Sequence, residues 1–148
     1  MGLDDLYQQL ILDHYRSRRN EGRLDAPTIT VADNNPLCGD EITLDLRIED
    51  GRIAGIAHEG EGCSISQASA SMMSEAAKGL ATEEAVDLVE HFRLMMHAQA
   101  TGDEERLGDA IALEGVAKYP VRVKCALLSW MALKEGVERA EGGNGSGK

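Results

Sequence analysis

The stretch Ile42-Thr43-Leu44-Asp45-Leu46-Arg47-Ile48-Glu49-Asp50-Gly51-Arg52-Ile53 decides the fold. From Ile42 to Glu49 apolar and polar residues alternate, which is the period of a half-buried strand. Asp50-Gly51 supplies a two-residue hairpin turn, and Ile53 to Glu59 reads as the returning strand. Gly55 breaks the second alternation and marks a candidate bulge. Upstream, Thr28 to Val31 reads as a short edge strand.

Helical periodicity flanks this sheet on both sides. Leu3, Leu6, Tyr7, Leu10, Ile11 and Tyr15 recur at helical spacing, so residues from about 4 to 17 form an amphipathic helix. The polar stretch Ser17 to Asp25 links it to the sheet. After Cys63, Ser64 to Lys78 reads as a helix whose small residues (Ala68, Ser69, Ala70, Ser71) permit close packing. Thr82 is the expected N-cap of a helix reaching about Ala98, with Glu83 and Glu84 favourably placed on its dipole. Thr101 to Arg106 reads as a polar connector and Leu107 to Val116 as a shorter helix. Pro120 suits the first turn of a last helix carrying Val121, Leu127, Leu128, Met131 and Val137. The expected class is α+β: a small antiparallel sheet of about three strands, covered on one face by helices. Residues 1–140 are expected to form a single domain, and the glycine-rich residues 141–148 a disordered tail.

Bulk properties exclude several function classes. The chain has 148 residues, with 26 acidic against 15 basic and a formal net charge of -11. Such a field repels phosphate backbones and anionic lipid, so neither nucleic acid nor a membrane surface is an expected partner; a protein with a basic docking face is. No apolar run approaches the roughly 20 residues of a membrane span. Three cysteines cannot all pair within one chain, which argues for a reducing compartment and a cytoplasmic location.

The cysteines carry the chemistry. Cys38 lies in Asn35-Pro36-Leu37-Cys38-Gly39-Asp40, at a loop entering a strand, with Asp40 two residues on. Cys63 stands where the returning strand meets a helix, where the positive end of the dipole favours an anion. Cys125 falls in the first turns of the last helix. All three are edges of elements, where ligands from distant parts of a chain can meet. Three thiolates and a carboxylate can close a tetrahedral zinc site or hold an iron–sulfur cluster, and spacing alone leaves both open. Taken singly, a cysteine is as readily a buried small hydrophobe. A zinc site of this composition carries excess negative charge, and Arg122 and Lys124 are the candidates to offset it. His91 and His97 do not share a helix face well and His14 and His58 are isolated, so no metal role is expected for any of them. The methionines Met72, Met73, Met95 and Met96 read as core filler.

The segments Asn35 to Asp40, Glu59-Gly60-Glu61-Gly62-Cys63-Ser64-Ile65-Ser66 and Arg122-Val123-Lys124-Cys125 resemble the three motifs of the IscU-like (NifU N-terminal domain-like) family of iron–sulfur cluster assembly, and within it the SufU branch. Ile11 to Tyr15, Ala68 to Met73, and Leu107-Gly108-Asp109 through Gly115-Val116 extend the resemblance over nearly the whole chain. Scaffold members usually have histidine where this chain has Lys124, and the SufU branch carries an insertion that residues from about Thr101 to Lys118 fit. Ser17-Arg18 departs from the Asn-Pro that relatives often have after the first helix.

The resemblance implies a SufE/IscU-like fold and a zinc-dependent sulfurtransferase with Cys38, Asp40, Cys63 and Cys125 as metal ligands. It implies sulfur transfer from the persulfide of a pyridoxal-phosphate-dependent cysteine desulfurase to a downstream iron–sulfur assembly scaffold. Cys38 is then the expected sulfur acceptor, leaving the metal on docking, and Arg122 the residue that orients or charge-balances the opened site. The alternative is a scaffold that builds a [2Fe–2S] cluster, with iron on the same ligands. A third reading is a zinc ion that only stabilises the fold.

Overall fold

The computed structural model describes residues 3–36 and 39–146. Strands β1 (Ile29–Asn35), β2 (Asp40–Glu49) and β3 (Arg52–Glu61) form one antiparallel sheet in the order β1-β2-β3. The turn between β2 and β3 is the Asp50-Gly51 pair, with φ of 53° and 75°. Two consecutive positive φ values define the turn whose twist matches a hairpin, and Gly51 adopts its value without a Cβ penalty. The β2–β3 register shifts between Arg47 and Ile48, where Ala54 is the extra residue beside Gly55. The bulge expected at Gly55 is therefore present next to it.

The edge strand runs further than the expected Thr28 to Val31, pairing as far as Asn35 with Asp40. Its second half, Asp33-Asn34-Asn35, has low intrinsic strand preference, so pairing with β2 and not propensity holds it. A polar edge also discourages pairing with other chains.

Helix α1 (Leu3–Arg16) precedes the sheet, and α2 (Ser64–Ala77), α3 (Thr82–Met96), α4 (Glu104–Leu107) and α5 (Pro120–Ser146) follow it. The N-cap of α3 is Ala81, not the expected Thr82. Glu84 accepts the Ala81 backbone N–H at 3.0 Å, which is the reciprocal half of a capping box and needs no hydroxyl. The Thr82 hydroxyl is used elsewhere, donating to Glu141 on α5. The polar connector expected over Thr101 to Arg106 contains the start of the short α4, and the helix expected over Leu107 to Val116 is instead a 3-10 segment, Gly108–Lys118. Gly108 has φ of 57° and ends the α-helical turn. Ile111, Ala112 and Leu113 are all buried in succession, so apolar contact on several sides supports a 3-10 run longer than is usual. Helix α5 continues through Ser146, into the stretch expected to be a disordered tail from Glu141.

Apolar side chains from the inner sheet face (Val31, Leu44, Leu46, Ile56) and from α2, α3 and α5 form one cluster. At its centre Phe92 and Trp130 stack at 4.1 Å. The Trp130 indole N–H donates to Ser69 Oγ at 2.9 Å, and that hydroxyl donates to the Ala126 carbonyl at 2.6 Å. A buried hydroxyl with both roles filled stabilises the α2–α5 packing where an unpaired one would cost it.

Asp45, on β2, is fully buried. Arg23 grips it through Nε (2.8 Å) and Nη2 (3.1 Å), Thr30 Oγ1 donates at 2.6 Å and the Leu24 N–H at 3.0 Å. Burial alone would raise this carboxyl, but the hydrogen bonds from Arg23, Thr30 and Leu24 together with the Arg23 charge hold it below the usual carboxylate range.

Candidate metal centre

Asp40 is the first residue of β2 and is completely buried. Cys63 is the N-cap of α2, with φ −72° and ψ 171°, and is half-buried. Cys125 lies in the second turn of α5 and is buried. One ligand atom from each comes within 4.8 Å of the other two. Elements far apart in the chain thus deliver two sulfurs and a carboxylate to one point, from a strand start, a helix cap and a helix turn. Cys38, the remaining expected ligand and the expected sulfur acceptor, lies outside the described residues.

The local hydrogen bonding fits a cation at that point. Asp40 Oδ1 accepts the Cys63 backbone N–H at 3.1 Å, which ties the strand start to the helix cap. The other oxygen, Oδ2, is buried with no hydrogen-bond partner among the described residues. A buried carboxylate oxygen without a donor is costly unless a positive centre satisfies it. Borderline-soft zinc suits a thiolate-rich set completed by one carboxylate. Gly62 keeps the space open, since a Cβ there would lie 2.4 Å from both Asp40 Oδ1 and Ser66 Oγ. Ser66 in turn donates to the Cys63 carbonyl at 3.0 Å.

Arg122 and Lys124, expected to balance the site's charge, are both exposed, while Val123 and Cys125 turn inward. Arg122 lines a surface groove together with Ile65, two residues beyond Cys63.

All four histidines have protein partners. His14 is fully buried between Ser71 Oγ (2.7 Å from Nδ1) and Asp109 Oδ2 (2.9 Å from Nε2). Although Ser71, His14 and Asp109 have the order of a nucleophile triad, Ser71 and His14 are wholly buried, and no substrate can approach the hydroxyl. The Arg19 N–H also donates to Ser71 Oγ, at 3.0 Å, so the group acts as a structural tie. His58 Nε2–H donates to the Arg19 carbonyl at 2.8 Å. Burial holds His58 below the ordinary histidine value, against that hydrogen bond. His91 Nε2 accepts the Asp103 N–H at 2.9 Å, and His97 Nδ1 sits 2.9 Å from the Arg93 carbonyl.

The supporting roles of Gly62, Ser66 and Ser69 were not read from the sequence. The serines of α2 read in the sequence as small packing residues, and their one signal is that five of its 14 residues are serine.

This sheet-and-helix frame, with its ligands at strand start, helix cap and helix turn, belongs to a known class. The chain is a member of the NifU-like N terminal domain family, whose model matches residues 6–126. It is 49% identical over 142 residues to the zinc-dependent sulfurtransferase SufU of Bacillus subtilis (strain 168), covering 96% of each chain. It is 42% identical to the iron–sulfur cluster assembly scaffold protein IscU of Streptococcus pyogenes serotype M1, over 93% of this chain and 86% of that one. The crystal structure of a nitrogen-fixing NifU-like protein (N-terminal) from Brucella abortus superposes with a TM-score of 0.86 at 27% identity, over 94% of this chain and 96% of that one.

Proposed function

We propose that this protein is a zinc-dependent sulfurtransferase of the cytoplasm. It takes sulfur from the persulfide of a pyridoxal-phosphate-dependent cysteine desulfurase and hands it to a downstream iron–sulfur assembly scaffold. One observation carries the reading: Asp40 Oδ2, buried with no hydrogen-bond partner among the described residues, beside Cys63 and Cys125. The likeness to a relative named as a sulfurtransferase supports it, as does Lys124 in place of a further imidazole. Among the described residues, no helix is long and apolar enough to cross a membrane.

Cys38, Asp40, Cys63 and Cys125 are the proposed zinc ligands. When bound, zinc keeps thiols ionised near neutral pH and supplies positive charge to the buried carboxylate. Cys63, with its carbonyl bonded to Ser66, and Cys125, in the buried face of α5, act as anchors. Cys38 is the sulfur carrier. Its thiolate attacks the outer sulfur of the donor's persulfide, forming a new S–S bond as the old one breaks, and the donor cysteine leaves as a thiolate. The sulfane sulfur then resides on Cys38 as a persulfide, and no external oxidant or reductant is needed. Arg122 balances the negative charge at the opened site.

A persulfide-transfer assay with the cognate desulfurase, on zinc-loaded and zinc-stripped protein, tests this. Transfer is expected from the loaded form and not from the stripped form or from Cys38→Ser; equal transfer by all three sinks the mechanism. The scaffold reading uses the same donors and is favoured by the relative named as a scaffold. It requires iron and visible charge-transfer bands after anaerobic purification, where the sulfurtransferase requires stoichiometric zinc and no such bands.

A further inference from the structure

Beside the metal-ligand end lies a groove of about 850 Å³, walled by α1, by the 3-10 segment and by the first turn of α5. Its floor and rim are apolar, with Leu12, Ile65, Val116, Tyr119 and Val121 prominent. Among the described residues, every large hydrophobic side chain that is exposed belongs to α1 or to residues 119–121, and Tyr119 and Val121 are 56% and 61% exposed. Concentration of exposed apolar area at one place marks a contact surface.

The charge of the groove is opposite to that of the molecule. In a chain of net charge -11, the charged groups lining it are Lys118 and Arg122. Neither makes an ion pair among the described residues, and no acidic side chain lines the groove. An apolar trough with two unneutralised cations complements a segment that carries apolar side chains and a carboxylate. Ile65 and Arg122 lie two residues after Cys63 and three before Cys125, so a segment seated here would end close to the ligands.

We propose that this groove docks an extended apolar segment of the sulfur donor that carries at least one carboxylate. The inference rests on the sulfurtransferase reading, because that reading requires a donor to bring its persulfide to this end of the molecule.

The test measures the affinity of full-length, zinc-loaded protein for the cognate desulfurase by titration calorimetry, for wild type, Leu12→Asp, Val121→Glu and Lys118→Glu. Each substitution is expected to weaken binding roughly tenfold or more, and the Lys118→Glu effect is expected to shrink as salt is raised. Zinc content, circular dichroism and sulfur uptake from a low-molecular-weight persulfide should stay at wild-type levels. Unchanged affinity in Leu12→Asp and Val121→Glu overturns the proposal while leaving the sulfurtransferase reading standing. Wild type that neither binds the desulfurase nor takes its sulfur overturns both. Should a variant misfold, hydrogen exchange on wild type decides: added desulfurase should protect residues 8–12 and 115–122, and no protection there removes the groove from consideration. A homodimer in sedimentation that Val121→Glu dissociates gives the groove to a second copy of this chain and also overturns the proposal.

Discussion

Asp40 and Asp45 share strand β2, and both are completely buried. Asp45 is surrounded by donors: a two-pronged arginine, a threonine hydroxyl and a backbone N–H. Asp40 has one backbone donor on Oδ1 and none on Oδ2 among the described residues. Equal burial therefore means different things. The protein satisfies Asp45 internally, as a structural group should be, and leaves Asp40 incomplete, with two thiols turned to the same point. Functional sites are where a chain departs from the rule of full polar satisfaction.

The sharpest way to break this contrast is to exchange the fates of the two carboxylates. Asp40→Asn is expected to weaken zinc retention, read by chelator competition, roughly a hundredfold or more. In metal-stripped protein the same change should raise the melting temperature by about 3 °C, since it removes a buried charge whose Oδ2 has no donor among the described residues. Asp45→Asn should do the reverse, lowering the melting temperature while zinc affinity stays. If both variants lose zinc equally, the distinction between the two aspartates is empty. Next in size is Ser69→Ala. It strands the Trp130 indole N–H, removes the second donor to the Ala126 carbonyl, and should cost about 1–3 kcal/mol in denaturant unfolding.

Smaller effects should appear in acid. His58 titrates lower in the folded protein than its ordinary 6.5. Its contribution is thus complete above about 6.5 and is lost as pH falls from there through the folded value. Asp45 is likewise depressed below 3.8, so its contribution is complete above that value and disappears only in stronger acid. Melting temperature against pH should show these two limbs in order. His58→Gln should flatten the first, and Thr30→Val, which removes one donor to Asp45, should make the second smaller and end it at higher pH. A Thr30→Val profile that overlays wild type would show that the threonine does not help to hold the Asp45 charge.

Much of the frame was legible because it rests on local rules. The alternation from Ile42, the Asp50-Gly51 turn and Pro120 each act over a few residues, and the hairpin and final helix start where those signals stand. The three described donors were findable for a related reason: each sits at a visible break between elements. Long-range partnerships were hidden. Nothing near Ser69 announces that its hydroxyl faces Ala126 and Trp130, and nothing near His14 announces Asp109. The Thr82 hydroxyl looked like a cap until Glu141 took it. Edge strand β1 was underestimated because Asp33, Asn34 and Asn35 look like a loop until a neighbouring strand pairs with them.

The Ser69 relay also sets an order of events during synthesis. Its contacts to Ala126 and Trp130 span 57 and 61 residues of chain, and at ordinary elongation rates about 60 residues take roughly 3–12 s to make. For most of that interval a nascent chain already holds Asp40 and Cys63, while Cys125, near its end, has not yet been translated. At the proposed zinc site, metal captured then would meet an incomplete donor set and exchange readily. Only when α5 docks is the third described donor added, so completion of the chain itself times the closing of the site.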